Sequence, residues 1–276
     1  MSVAKRRCPA DARRAVTVAL ALLVAVAARA PAQQDVRRVE PAGIPVRYPE
    51  GTVHGFLTLR TAAGAPLAHG DLVQVVRDGA IDSRMVFHFP DASVFEETVT
   101  FTQKSVFTMQ AYHLVQAGPA FAEDLDVTLN RAGKYLVKTK SHKDGELHQY
   151  AGVLDLPPDV YNGMVITVAK NVSSRAPETV HLVAFTPEPR LIQLQIAPFG
   201  THKVTIGQHT ETAVDYVLKP KLGALLGFFA KVLGKVPPDS HTWIVSDYVP
   251  AFVRYEGPLY NGPAWRIELT APAWPP

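Results

Sequence analysis

The clearest pattern in the sequence is an alternation of apolar and polar residues in short runs. Met85, Phe87 and Phe89 occupy every second position, and Phe101 and Phe107 belong to two similar runs that follow. A spacing of two places such side chains on one face of a β-strand. These runs therefore predict strands that each carry one apolar face.

Runs of β-branched and aromatic residues with this alternation recur along the chain, separated by turn residues. Including the three runs above, they occupy residues 53–60, 71–77, 85–89, 95–102, 107–111, 134–141, 146–154, 179–186, 190–197, 203–208, 212–219, 241–246, 251–256 and 264–270. So many strands with so few helices do not suit a parallel sheet, which needs a long crossover between successive strands. The pattern predicts a mainly β fold, built as a curled antiparallel sheet, a barrel or a sandwich.

Residues 160–172 depart from the strand pattern. They follow Pro157-Pro158-Asp159, and Asp159 is a suitable N-cap for a short helix. Val165, Ile166, Thr167 and Val168 would also suit a strand, so both structures are kept as alternatives.

Residues 222–233 are the most apolar part of the chain after its N-terminal region, and lysines flank them. About 20 apolar residues are needed to cross a bilayer, so this segment is too short to do so. Three alternatives remain: a helix that covers the core, a lid over an apolar cavity, and contact with a lipid surface through Phe228, Phe229 and the lysines.

The N-terminal region has the pattern of an export signal. Five basic residues precede the uncharged stretch 15–28, and Ala30-Pro31-Ala32 matches a small-residue cleavage site. We expect residues 1–32 to be a signal peptide cleaved near Ala32, which places the mature protein in the periplasm or outside the cell; an uncleaved anchor is the alternative. We further expect an extended arm at 33–51, a single antiparallel β-domain at 52–271 and a Pro-rich tail at 272–276.

Removing the predicted signal changes the charge of the chain. The full sequence carries a net charge of +3, but residues 1–32 hold six of its 28 basic residues and one of its 25 acidic residues. The remaining chain has a net charge of -2, which speaks against a nucleic-acid partner. The one cysteine, Cys8, lies within the signal, so the mature chain has no thiol for a disulfide, a nucleophile or a metal site.

The common catalytic and metal-binding motifs are missing from the sequence. It has no nucleophile elbow, P-loop, dinucleotide fingerprint or His-Glu-x-x-His pattern, and its ten histidines include no His-x-His pair. Glu96 and Glu97 point to opposite faces of a strand, and the acidic group at 123–126 is interpreted as a solvated turn. We predict no catalytic residues, no metal and no cofactor, although an enzyme whose site is assembled from distant strands stays an alternative.

Three passages resemble the lipoprotein-localisation-factor-like envelope proteins. They are the hairpins from Val53 to Val115, the segment Leu156–Tyr161 and the late hairpin His241–Val253 with its Trp243. The resemblance implies a half-open barrel, a strongly curved antiparallel sheet around one or two short helices, with an apolar concave side. It also implies a non-enzymatic carrier or sensor of a lipid-like molecule.

The resulting hypothesis is an exported envelope protein that binds an apolar small molecule or lipid in a concave cavity. The predicted ligand-binding residues are the inward phenylalanines and the apolar segment: Phe87, Phe89, Phe101, Phe107, Leu225, Phe228 and Phe229. The alternative is an envelope structural or assembly protein that contacts a partner or membrane surface through strand edges and residues 222–233.

Overall fold

The computed structural model describes residues 43–185, 188–206, 209–221, 239–245 and 249–270. These residues all belong to one compact unit, which lies within Glu40–Pro276. The predicted signal peptide, the predicted tail at 272–276 and the apolar segment 222–233 lie outside the described residues.

The described part of the chain contains fourteen strands. They are β1 Val53–Thr61, β2 Pro66–Arg77, β3 Ala80–His88, β4 Val94–Gln103, β5 Phe107–Ala117, β6 Glu123–Asn130, β7 Lys134–Ser141, β8 Leu147–Val153, β9 Glu178–Ala184, β10 Arg190–Ile206, β11 His209–Lys221, β12 Ser240–Val245, β13 Ala251–Gly257 and β14 Trp265–Thr270.

All fourteen strands form one antiparallel sheet. Its order is β8-β7-β6-β5-β4-β3-β2-β1-β14-β13-β12-β11-β10-β9, so two meanders meet where β1 pairs with β14. Among the described strands β8 pairs only with β7 and β9 only with β10, so the sheet is not closed into a barrel. The free side of β9 is bridged at His181 by Val160 of the preceding segment. The predicted mainly β class with an antiparallel sheet is confirmed.

The sheet is strongly curved, as contacts between distant strands show. Tyr112 on β5 stacks on Phe185, which directly follows β9, with 5.9 Å between ring centroids. These strands are ten positions apart in the sheet order, and strands lie about 4.8 Å apart, so a flat sheet would separate them by about 48 Å. Curvature brings their inward faces together around one main core.

Local sequence explains how neighbouring strands are joined. Asp78 and Gly79 form the two-residue connection between β2 and β3, and both have positive φ, at 49° and 79°. A two-residue Asp-Gly loop with this backbone matches the right-handed twist of the strands that it connects. The connection sets the long β2–β3 register, in which Leu72 lies opposite Met85.

The segment between β8 and β9 carries the chain from one edge of the sheet to the other. Its one helix, α1, spans Val165–Ala169, and Val168 and Ala169 are completely buried against the core. The N-cap position is Met164, so the prediction that Asp159 caps this helix is wrong. The Asp159 carboxylate instead accepts a hydrogen bond from His181 Nδ1 on β9 at 2.9 Å.

Further sequence interpretations differ from the structure. The interpretation of the acidic group at 123–126 as a solvated turn is wrong, because the group opens strand β6, where Leu125 and Val127 are buried. Residues 190–197 and 203–208 were predicted as separate strands, whereas β10 runs unbroken over Arg190–Ile206. Among the described residues, no helix has the length and apolar character needed to span a bilayer.

Candidate functional site

A cavity of about 310 Å³ lies on the concave side of the sheet. Apolar side chains from several strands and from α1 form most of its wall. Examples are Leu72, Met85, Leu194, Phe252 and Ile267. Ligand pockets of proteins measure about 300–1,000 Å³, so the volume suits one compact molecule.

The cavity borders the middle of the inward face of β4. Along that face the residues run Phe95, Glu97, Val99, Phe101, because successive side chains alternate between the two faces. The two phenylalanines are completely buried, and Glu97 and Val99 between them line the cavity. On this strand the cavity therefore lies between Phe95 and Phe101.

The predicted binding phenylalanines lie in the packed core. Phe87, Phe101 and Phe107 have no exposed surface, Phe89 is 8% exposed, and none of the four lines the cavity. Three of the rings pack against other aromatic side chains: Phe101 lies 6.1 Å from Phe107 and Phe89 lies 5.5 Å from Phe121 between ring centroids. That they contact a ligand stays a prediction without a supporting contact.

The other three predicted binding residues, Leu225, Phe228 and Phe229, lie outside the described residues. The hypothesis that their segment forms a lid over the cavity therefore stays a prediction.

Glu97 and Tyr112 form a polar pair in the cavity wall. The Tyr112 hydroxyl donates a hydrogen bond to Glu97 Oε1 at 2.9 Å. Burial raises the pKa of Glu97 to about 7, and the tyrosine hydrogen bond offsets only part of that effect. Burial, the charge of Glu97 and its hydrogen bond together raise the pKa of Tyr112 well above its usual value. The pair places one carboxyl group that titrates near neutral pH inside an apolar hollow.

Two more tyrosines contribute hydroxyl groups to the polar part of the wall. Tyr255 on β13 donates to the Pro258 carbonyl at 2.9 Å. Burial, partly offset by a hydrogen bond with Ser240 and assisted by the charge of Glu97, raises the pKa of Tyr255 to about 12. Tyr260 accepts a hydrogen bond from the Phe185 backbone amide at 2.7 Å. Both hydroxyls are thus positioned by main-chain groups, and both rings line the cavity.

Lys170 is the one basic residue among the described lining residues. Its Nζ lies 2.5 Å from Glu50 Oε1, and the lysine and glutamate side chains are only 14% and 7% exposed. The ammonium group is therefore neutralised by the N-terminal arm rather than by the carboxyl group in the cavity.

The segment between β8 and β9 contributes Asn162, Gly163 and part of α1 to the cavity wall, and buried hydrogen bonds hold it in place. The Asn162 side chain both donates to the Val183 carbonyl at 2.9 Å and accepts from its amide at 2.8 Å. Gly163, at φ +70°, lies so close to the wall that a Cβ atom there would be 3.1 Å from Tyr112 and Val99. Sequence patterns marked this segment as different from the strands but did not assign its residues to a site.

Glu97 was also missed, although the sequence held a signal for it. The prediction that Glu96 and Glu97 face opposite sides is confirmed, since Glu96 pairs with Arg84 at 2.7 Å on the outside. The same alternation places Glu97 between Phe95 and Val99, and a charged residue on an apolar strand face is a marker of function.

The described residues contain no group of three or more histidine, cysteine, aspartate or glutamate side chains arranged to hold a metal ion. Several histidines lie beside carboxylates, and the buried Asp215 has two such neighbours, His241 Nδ1 at 2.9 Å and His202 Nε2 at 3.6 Å.

Comparisons with known proteins add little to this description. No protein-family model and no curated protein matches the chain. Among solved structures, the chain is similar to a beta-barrel-like protein of the domain of unknown function DUF1849 from Brucella abortus, with 11% identity and a TM-score of 0.39. The match covers 80% of this chain and 97% of that one. A likeness at this level transfers no function.

Proposed function

We propose that this chain is an exported envelope protein that binds a compact apolar molecule, such as a single-chain lipid, in its concave cavity without converting it. The observation that carries the proposal is the cavity of about 310 Å³, with a mostly apolar wall and a few positioned polar groups. That combination is typical of small-molecule binding sites. Export rests on the signal-peptide pattern of residues 1–32. A clamp like that of the lipoprotein-localisation factors, which the sequence resembles, is the finer form of the proposal.

The volume of the cavity limits the size of the ligand that it can hold. A volume near the lower end of the usual range suits one short chain or a small ring system rather than a lipid with two long acyl chains. The buried polar groups then serve to orient one end of the molecule, while the apolar wall contributes binding free energy through the surface that it removes from water.

Binding is tested with N-phenyl-1-naphthylamine, an apolar probe whose fluorescence rises in an apolar environment. Delipidated protein should bind it, and Ala184→Phe, which places a large ring on the cavity wall, should suppress binding. Ala251→Phe is the matched control, because Ala251 is exposed and does not line the cavity. Equal loss in both variants, or no binding to the native protein, would contradict the proposal.

Expression of the full chain in a Gram-negative host tests export and catalysis together. Mass spectrometry of the periplasmic fraction should find a mature N-terminus near Gln33 and an extractable apolar molecule. A raised carboxyl pKa can also serve acid–base chemistry. Recovery of a chemically altered probe after incubation would therefore favour an enzyme over a binding protein.

The alternative of an envelope assembly protein has one supporting feature in the sheet. Among the described strands β8 is paired only with β7, and its residues Leu147 and Val153 are 73% and 72% exposed. An exposed edge can add a partner strand. Contact with a membrane surface through residues 222–233 stays a prediction, and flotation of the protein with anionic vesicles at low and high salt would test it.

A further inference from the structure

The charges of the cavity wall do not balance. Glu97 is the one acidic residue among the described lining residues, and Lys170, the one basic residue, is paired with Glu50. The pKa of Glu97 is set by burial and by the Tyr112 hydroxyl, with no cation contributing. When it ionises, the carboxylate has a neutral hydrogen-bond donor beside it but no counter-ion.

An ionised carboxylate inside an apolar hollow is costly unless a positive charge joins it. The protein supplies none among its described lining residues, so the missing charge can come from a ligand. Tyr112 occupies Glu97 Oε1, and a carboxylate has capacity to accept further hydrogen bonds. A ligand N–H group would therefore find both an unpaired charge and an available acceptor.

The aromatic side chains around Glu97 favour the same ligand. Tyr112, Tyr255, Tyr260 and Phe252 all line the cavity, and the charge of Glu97 acts on both Tyr112 and Tyr255. The faces of aromatic rings attract cations, most strongly where water is excluded. A ligand carboxylate would instead meet a like charge, and the described lining residues hold no unpaired cation to offset it.

We propose that the cavity's ligand is an amphiphilic amine, with a cationic nitrogen on an apolar body, and that Glu97 is its counter-ion. The inference rests on the proposed binding function and names the chemical class of its ligand. An amine suits the wall better than a fatty acid, because the described lining residues offer a carboxylate and aromatic rings but no unpaired basic side chain.

The test compares decylamine, decanol and decanoate, which share one apolar chain, by isothermal titration of the full mature protein at pH 8.5. Decylamine should bind at least about tenfold more tightly than decanoate, since like charges in a desolvated site repel strongly. Glu97→Gln keeps the size and the acceptor for Tyr112 but removes the charge, so it should abolish most of this preference. Glu96→Gln, on the outer face of the same strand, should leave the preference intact.

The pH dependence gives a second measurement. Apart from Glu97, the titratable groups on the wall are Tyr112 from β5, Tyr255 from β13, Tyr260 before β14 and Lys170 after α1. Burial raises the pKa of Tyr112 and of Tyr255 above the usual tyrosine value. From pH 5.5 to 8.5, decylamine affinity should rise roughly thirtyfold as the carboxyl group ionises, and stay flat in Glu97→Gln.

The outcomes separate the two proposals. If none of the three compounds binds, and the naphthylamine probe does not bind either, the binding function itself is wrong and the ligand assignment falls with it. If the compounds bind but decanoate matches decylamine, or Glu97→Gln leaves the preference unchanged, the cavity binds apolar molecules and the amine assignment is wrong. The native protein's own preference is decisive even if a variant fails to fold.

Discussion

Replacing Glu97 with glutamine should stabilise the ligand-free protein at alkaline pH. The folded-state pKa of this carboxyl group is raised from 4.5 to about 7 by burial. Above pH 7 the native protein holds an ionised carboxylate in the apolar cavity, whereas the unfolded chain holds it in water. Glutamine is neutral at every pH and still accepts the hydrogen bond from Tyr112, so the variant avoids that penalty.

The size of this stabilisation follows from the linkage between proton binding and folding. An acid whose folded pKa is raised makes the native state lose stability as the pH rises from the unfolded pKa to the folded one. The shift from 4.5 to about 7 corresponds to about 3 kcal/mol at 1.36 kcal/mol per pKa unit. Glu97→Gln should therefore exceed the native protein in free energy of unfolding by about 3 kcal/mol at pH 8 and by about 1 kcal/mol at pH 5.

Urea unfolding of both delipidated proteins at the two pH values measures this difference. All other groups titrate alike in the pair, so the change in their difference isolates residue 97. Glu96→Gln is the control: Arg84 lowers the pKa of Glu96, and loss of that outer pair should cost no more than about 1 kcal/mol, with the opposite sign at pH 8. An advantage of Glu97→Gln that is the same at pH 5 and pH 8 would refute the reasoning.

Three further substitutions test the elements that hold the cavity, each by urea unfolding of the variant. Tyr161→Phe should lower the free energy of unfolding by about 2 kcal/mol, because the buried hydroxyl accepts from the Ile44 amide at 2.8 Å and donates to the Phe107 carbonyl at 3.2 Å. A change below about 0.5 kcal/mol, which is the scale of surface substitutions, would contradict this prediction. Asn171→Ala should lower the free energy of unfolding by about 3 kcal/mol, because the buried Asn171 Oδ1 accepts from two backbone amides of the N-terminal arm at 2.9 and 2.8 Å. In a protein that lacks this arm, the same substitution should have little of that effect. Gly163→Ala should cost at least about 1–2 kcal/mol, since alanine disfavours a φ of +70°; a neutral result would show that the backbone there relaxes.

The alternation of side chains was by itself enough to determine most of the strands and their inward faces, although it missed β6 and divided β10 in two. A period of two is a local property of an extended backbone, so the inward direction of Phe87 and Phe101 follows from their immediate neighbours. For the same reason the alternation also places Glu97 on the apolar face. An Asp-Gly pair likewise determines the turn between β2 and β3 locally.

Only the tertiary structure decided where along those faces the hollow lies. The phenylalanines and Glu97 share one side of the sheet, yet the rings are packed solid and the carboxyl group borders the cavity. That difference depends on how far the sheet curves and on which segment crosses it, as in the bond between Tyr161 and Ile44, 117 residues apart. Contacts over such separations leave no periodic trace in a sequence, because they arise from the register of many strands together rather than from the conformation of any one.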